Sequence, residues 1–168
     1  MVLTLKSGPV VPTVRLLLSH PAHFLSLGLG SGLSPVAPGT VGSFLAWGLY
    51  CLLAPHFTDL SFAFFLTACF FGGGLFVDRT GRALGVVDHG AIVWDEFVAV
   101  WLVLWLVPAT WLWQLLGVVV FRFFDIVKPW PIKQADARFK NGMGVMLDDL
   151  LAAGYSLLVL AIVWRVLS

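Results

Sequence analysis

Two pairs of adjacent acids interrupt an otherwise apolar chain: Asp95-Glu96 in "HGAIVWDEFVAV" and Asp148-Asp149 in "GMGVMLDDLLAAG". A fifth acid, Asp125, lies in "FRFFDIVKPWPIK" between Arg122 and Lys128, with Lys133 and Arg138 further on. Acids at the edge of an apolar stretch can cap a helix, where its dipole favours negative charge. They can also converge on a divalent cation. Magnesium takes oxygen ligands and is typically held by one or two carboxylates, waters and a substrate phosphate. Bases beside such acids suit phosphate chemistry, although a basic cluster alone equally suits an anionic lipid surface. A further segment, "GSGLSPVAPGTVGS" (residues 30–43), opens an apolar helix. Backbone N–H groups at a helix start can hold a phosphate, but the segment also reads as a tight turn and lacks the Lys of a nucleotide-binding loop. His89, near the acids, is a turn residue or an acid–base group.

The elements that must position these residues are apolar helices. The chain has 168 residues, 60% hydrophobic and 11% charged, with a mean hydropathy of +0.96. A soluble domain carries about 25% charged residues, so this composition indicates an integral membrane protein. The formal net charge of +1 gives no basic face, and no nucleic acid partner is expected. Cys51 and Cys69 fall in apolar runs without a CxxC spacing and read as buried hydrophobes. Residues 1–12 read as a loose tail on a single domain spanning 1–168. Residues 13–29 read as an N-terminal interfacial helix interrupted at His20, Pro21 and His23. Apolar stretches follow at about 41–55, 60–77, 95–107, 110–121 and 149–167. All are predicted helical, since a strand alone cannot satisfy its backbone in lipid. The expected fold is an all-α integral membrane bundle of about five apolar helices.

Charge sets the orientation. With a cytoplasmic N-terminus, nine of the ten Lys and Arg residues fall on the cytoplasmic side, Arg165 being the exception, as the positive-inside rule favours. Eight of the nine acids share that side, and only Asp59 lies opposite. Topology does not require acids to gather there.

Taken together, "GLGSGLSPVAPGTVGS", "HGAIVWDEF", "FRFFDIVKPWPI" and "GMGVMLDDLLAAG" resemble, in order and from about residue 23 onward, the phosphatidylglycerophosphatase A family. Asn141 stands where the last motif often has Gly. The resemblance implies a magnesium-dependent lipid phosphatase of the bacterial cytoplasmic (inner) membrane, multi-pass, with its active site on the cytoplasmic face. Its implied reaction converts phosphatidylglycerophosphate to phosphatidylglycerol and inorganic phosphate. Carried over by motif, the catalytic set is Asp95, Glu96, Asp125, Asp148, Asp149 and Lys128. Ser34, Pro38, Gly39, Thr40 and Ser43 match the first motif. Ser34, Gly39, Thr40 and Ser43, with Arg122, Lys128 and Lys133, are the expected phosphate contacts.

With no nucleophile motif of other phosphatase types in the chain, the expected chemistry is in-line attack by a metal-activated water. Glu96, Asp125 and Asp149 are the expected direct magnesium ligands. Asp95 and Asp148 are expected to cap their helices or hold metal-bound water. The phospholipid substrate and the membrane are the expected partners; oligomeric state is not encoded legibly. The competing readings are a small cation transporter, whose site belongs near the bilayer midplane, and a phospholipid-synthesising transferase, whose DG…AR…G…D pattern is missing.

Overall fold

The computed structural model describes residues 10–134 and 140–167; Lys6, Asp136 and Arg138 of the charge pattern, and residues 1–9 of the expected tail, lie outside the described residues. Every regular element described is helical. The order is α1 (Val14–Ser19), α2 (Pro21–Ser26), a 3₁₀ segment (Gly28–Leu33), α3 (Pro38–Leu53), a 3₁₀ turn (Ala54–His56), α4 (Asp59–Leu84), α5 (Trp94–Leu106), α6 (Trp111–Val127) and α7 (Gly142–Leu167).

Local chemistry explains the boundaries. His20 and Pro21 split the expected N-terminal helix in two. The His20 ring nitrogen accepts from Ala22 N–H, capping α2, while Pro21 occupies its first position. Thr58 and Ser61 form a reciprocal capping box at the start of α4. Gly85, at φ +79°, ends that helix. α4 therefore runs to Leu84, beyond the expected end at 77, because its polar last turns remain helical until the glycine. α7 likewise begins at Gly142, not near 149. Asn141 caps it, its side-chain oxygen accepting from Gly144 N–H at 2.8 Å. The family departure at this position is thus a good N-cap residue.

Residues 10–12 belong to no helix, and Val10 N–H donates to the Leu84 carbonyl at 2.9 Å, tying them to the end of α4. α2 packs on α4. The buried His23 ring meets Thr80 Oγ1 at 2.9 Å. Burial lowers the His23 pKa, with His20 and Arg79 adding to the effect. The ring pairs with Thr80 as a neutral group.

α5 is the central helix, contacting α3, α4, α6 and α7. Residues 91–101 are all buried. Its tryptophans are anchored by hydrogen bonds: Trp94 to the Cys69 carbonyl, Trp101 to the Ala46 carbonyl and Trp105 to Asp59 Oδ1. The surrounding helices expose Leu, Val and Phe outward, as lipid-facing surfaces do. Cys51 is exposed on that apolar exterior, not buried as the sequence suggested. Among the described residues α4 and α7, at 26 residues each, are long and apolar enough to cross a bilayer by themselves. At 16, 13 and 17 residues, α3, α5 and α6 are shorter.

Glycine sets how closely α4 and α7 approach. A Cβ on Gly142 would lie 2.1 Å from the Gly74 carbonyl oxygen and 2.7 Å from Asp78 N. Backbone atoms cannot yield as a flexible side chain does. A Cβ on Gly154, in the same helix, would meet nothing within 4 Å. Gly142→Ala should therefore cost roughly 2 kcal/mol through overpacking. Gly154→Ala should be neutral or slightly stabilising. Thermal unfolding in detergent checks this; equal shifts for the two variants would contradict the close approach.

Candidate active site

The five acids singled out by type are carried by three helices whose ends meet. Asp95 and Glu96 sit in the first turn of α5, Asp125 in the last turn of α6, and Asp148-Asp149 on α7. Asp95 lies within electrostatic reach of Glu96, Asp148, Asp125 and Asp88. Asp149 lies within reach of Asp125, Asp95, Glu96 and Asp148. Asp95, Glu96, Asp148 and Asp149 are each no more than 8% exposed. So close a set of buried like charges is costly unless cations or protons accompany it.

Two basic side chains enter the set. Arg122 Nη1 donates to Glu96 Oε1 at 3.0 Å and to Asp125 Oδ2, bridging α5 and α6. Lys128 Nζ donates to Asp148 Oδ2, joining α6 to α7. On a continuous helix Lys128 would share a face with Asp125, three residues before it. It is instead the C-cap of α6, at φ +43° and ψ +63°, in the left-handed region. Pro129 disfavours a right-handed helical conformation in the residue before it, so the helix stops and the chain turns. That turn directs Lys128 to Asp148, and Arg122 takes the i,i+3 pairing with Asp125.

Capping does not account for the acids. No side-chain cap bond is made at Val93, the N-cap of α5. Asp148 and Asp149 lie six and seven residues beyond Gly142, past the first turn of α7, where an N-terminal cap cannot form. Asp148 Oδ1 accepts from Asp149 N–H. Asp95 Oδ1, Glu96 Oε2, Asp149 Oδ2 and Arg122 Nε are buried with no hydrogen-bond partner. Three of these orphaned atoms are carboxylate oxygens.

The first turn of α3 closes one side. A Cβ on Gly39 would lie 2.1 Å from Glu96 Oε1 and 2.9 Å from an Arg122 nitrogen. Only a glycine lets this turn lie directly against the Glu96–Arg122 pair. Thr40 is half-buried beside it. The other hydroxyls of the segment are used locally: Ser43, fully buried, donates to the Gly39 carbonyl, and Ser34 donates to the Val36 carbonyl. Lys133 is exposed on the segment after Pro129. His89 is a turn residue, its ring accepting from Ala91 N–H and its carbonyl from Ile92 N–H.

Two contributors escaped the sequence reading. Asp78 Oδ1 accepts from Gly142 N–H at 2.6 Å, so an acid of α4 anchors the start of α7. Asp88 adds negative charge near Asp95 and Glu96. An acid 64 residues from its partner leaves no local signal.

Among the described residues, no three His, Cys, Asp or Glu side chains form a ready-made metal cage. Magnesium does not require one, since waters and substrate phosphate complete its shell. Orphaned oxygens on Asp95, Glu96 and Asp149 suit such an ion. The ion pairs make a sharp prediction. Lys128→Met should destabilise the protein by removing a counter-charge from the buried Asp148 carboxylate. Adding Asp148→Asn should recover part of the loss, with a coupling of about 1 kcal/mol or more. A double-mutant cycle of thermal unfolding that shows additive losses would contradict the pairing.

A family model described as phosphatidylglycerophosphatase A matches residues 24–164. A Haemophilus influenzae protein named phosphatidylglycerophosphatase A is 44% identical over 149 residues, covering 88% of this chain and 91% of its own. An Escherichia coli protein of the same name is 41% identical over 150 residues, covering 82% and 80%. A Bacteroides thetaiotaomicron protein named provisionally as a phosphatidylinositol-3-phosphatase is 37% identical over 144 residues, covering 82% and 90%. No solved structure matches the chain.

Proposed function

The chain belongs to the phosphatidylglycerophosphatase A family, and we propose that it hydrolyses phosphatidylglycerophosphate to phosphatidylglycerol and inorganic phosphate, with magnesium as cofactor. One observation carries the reading. Buried acids with unpartnered oxygens, two basic groups and the start of α3 meet at one end of an apolar bundle. A substrate with acyl tails and a phosphate head fits that arrangement, since its tails stay among apolar helices while its head meets the acids.

Glu96, Asp125 and Asp149 would hold the magnesium ion. When bound, it would supply positive charge to the phosphate oxygens and lower the pKa of a water. Asp95, whose Oδ1 is unpartnered, would accept a proton from the attacking water. Water oxygen bonds to phosphorus, the bond from phosphorus to the glycerol oxygen breaks, and the leaving oxygen takes up a proton. Arg122 and Lys128 offset negative charge on the transferring phosphoryl group. Both are committed to acids in the resting protein. A cation at those acids would compete for the same oxygens and release the bases toward phosphate. The N–H groups of Gly39 and Thr40, in the first turn of α3 beside Glu96 and Arg122, would serve as backbone donors to the phosphate. Hydroxyl contacts from Ser34 and Ser43 would require their local hydrogen bonds to break.

The basic residues favour a site facing the cytoplasm across a multi-pass bacterial inner-membrane topology. The transporter reading is supported less well, because its acids would belong at mid-helix between broken segments. Here Asp95 and Glu96 occupy a first turn and Asp125 a last turn.

Purified protein in detergent should release inorganic phosphate from phosphatidylglycerophosphate only with a divalent cation. Excess chelator should abolish release and magnesium should restore it. Phosphatidylinositol 3-phosphate serves as the headgroup control and should be the poorer substrate. Full activity in chelator would overturn the magnesium proposal; no release under any condition would overturn the reaction.

A further inference from the structure

A cleft of about 370 Å³ opens on the outer surface between α4 and α7, with α5 as its floor. Its walls include Leu66, Phe70 and Phe71 of α4, Val98 and Leu102 of α5, and Leu150 of α7. The residue sizes along α4 explain why it is there. At Gly73 and Gly74 the two long helices touch: a Cβ on Gly73 would meet Trp94 and Met146, and one on Gly74 would meet Met143 Sδ at 2.2 Å. One turn earlier on α4 the glycines give way to Phe70 and Phe71, and the cleft begins.

The cleft lies one helical turn from the acids on α5 and one residue from them on α7. Asp95, Val98, Leu102 and Trp105 follow each other at three- and four-residue steps, one stripe along α5. The last three line the cleft, and the first is the acid with an unpartnered Oδ1. On α7, Leu150 lines the cleft immediately after Asp149. From Val98 to Trp105 the cleft runs about 10 Å along α5. The one hydroxyl on its wall, Thr67, already donates to the Ala63 carbonyl at 2.8 Å, so an apolar occupant leaves no polar group unsatisfied. Thr67 and Phe71 are exposed, so the cleft opens sideways, toward lipid. Two other apolar grooves, around Trp113, Leu160 and Leu116, lie toward the opposite ends of the helices and share no residue with the acid stripe.

We infer that this cleft holds one acyl chain of the lipid substrate, laid along the Asp95 stripe, and that Leu102 sets how a chain is seated. The inference rests on the proposed reaction for its substrate class. A chain in bilayer is already in an apolar medium, so the cleft gains little binding by burying it. Its effect is on position. A chain fixed in the cleft places the phosphate over the acids and limits its rotation there, an orientation effect on the reacting geometry.

The test compares two phosphatidylglycerophosphates, one dipalmitoyl and one dibutanoyl. The shorter chains end before the level of Leu102. Leu102→Trp, which fills the cleft, should lower the ratio of kcat/KM for long over short chains by about tenfold. Leu112→Trp, in a groove at the other end, should leave that ratio as in wild type. A lipid carrying a photoreactive diazirine on its palmitoyl chain provides a readout that does not need turnover. On wild-type protein it should label the peptides containing residues 63–71 and 98–105, and dipalmitoyl substrate should compete the labelling away. An unchanged ratio in Leu102→Trp, or labelling spread evenly over α3 and α6, would overturn the inference. If wild type hydrolyses neither lipid, the reaction reading falls, and the labelling alone decides the cleft.

Discussion

The structure depends on how a cluster of carboxylates is held at the edge of an apolar bundle. Ionised groups in such surroundings are unfavourable unless each finds a counter-charge or a cation. Arg122 answers two of the acids and Lys128 a third. The cost of this arrangement is visible in the backbone. α6 ends in a left-handed lysine, a conformation that disfavours residues with a side chain. The first turn of α3 carries Gly39, where a Cβ would strike the Glu96–Arg122 pair. α7 starts where Asp78 receives its first N–H. The helices are placed by the same contacts that arrange the site.

The bases do not satisfy the cluster. Oxygens of Asp95, Glu96 and Asp149 are left buried without partners, and Asp88 adds further negative charge nearby. A divalent ion and a phosphate together would resolve both sides of the imbalance: the ion takes the acids and the phosphate takes the released bases. The proposed chemistry is the occupancy that the electrostatics of the resting site call for. The apolar helices then explain its depth. An amphiphile brings its phosphate no further than the polar edge of the bundle, and the cleft beside α5 gives one chain a fixed course.

Much of this was legible from residue types. The apolar stretches pointed to an all-helical chain, since only helices satisfy backbone groups in lipid, and each of them falls on a helix. The acids were legible because carboxylates are rare in such a chain. Boundaries and partners were less so. Gly142 and Gly144 look like a loop by propensity, yet an Asn cap and an acid from α4 start a helix there. The acids expected at its mouth are therefore inside it. A three-residue helical spacing would set Lys128 beside Asp125, but the backbone turn before Pro129 gives the lysine to Asp148. The serines of the first motif looked like phosphate contacts, whereas two of them bond to their own backbone. Each of these differences comes from a contact distant in sequence or from a single backbone dihedral, neither of which periodicity records.

The central claim is that Glu96, Asp125 and Asp149 act together on one cation at this end of the bundle. The most direct measurement is the kcat/KM of Glu96→Gln, Asp125→Asn and Asp149→Asn for phosphatidylglycerophosphate, each checked for wild-type unfolding temperature. The amides keep the shape of the side chains and remove their charge. Each variant is expected to lose about 100-fold or more, roughly 2.7 kcal/mol of transition-state stabilisation. Folded variants that all hydrolyse the lipid within about threefold of wild type would contradict the account and leave the acids a structural role only.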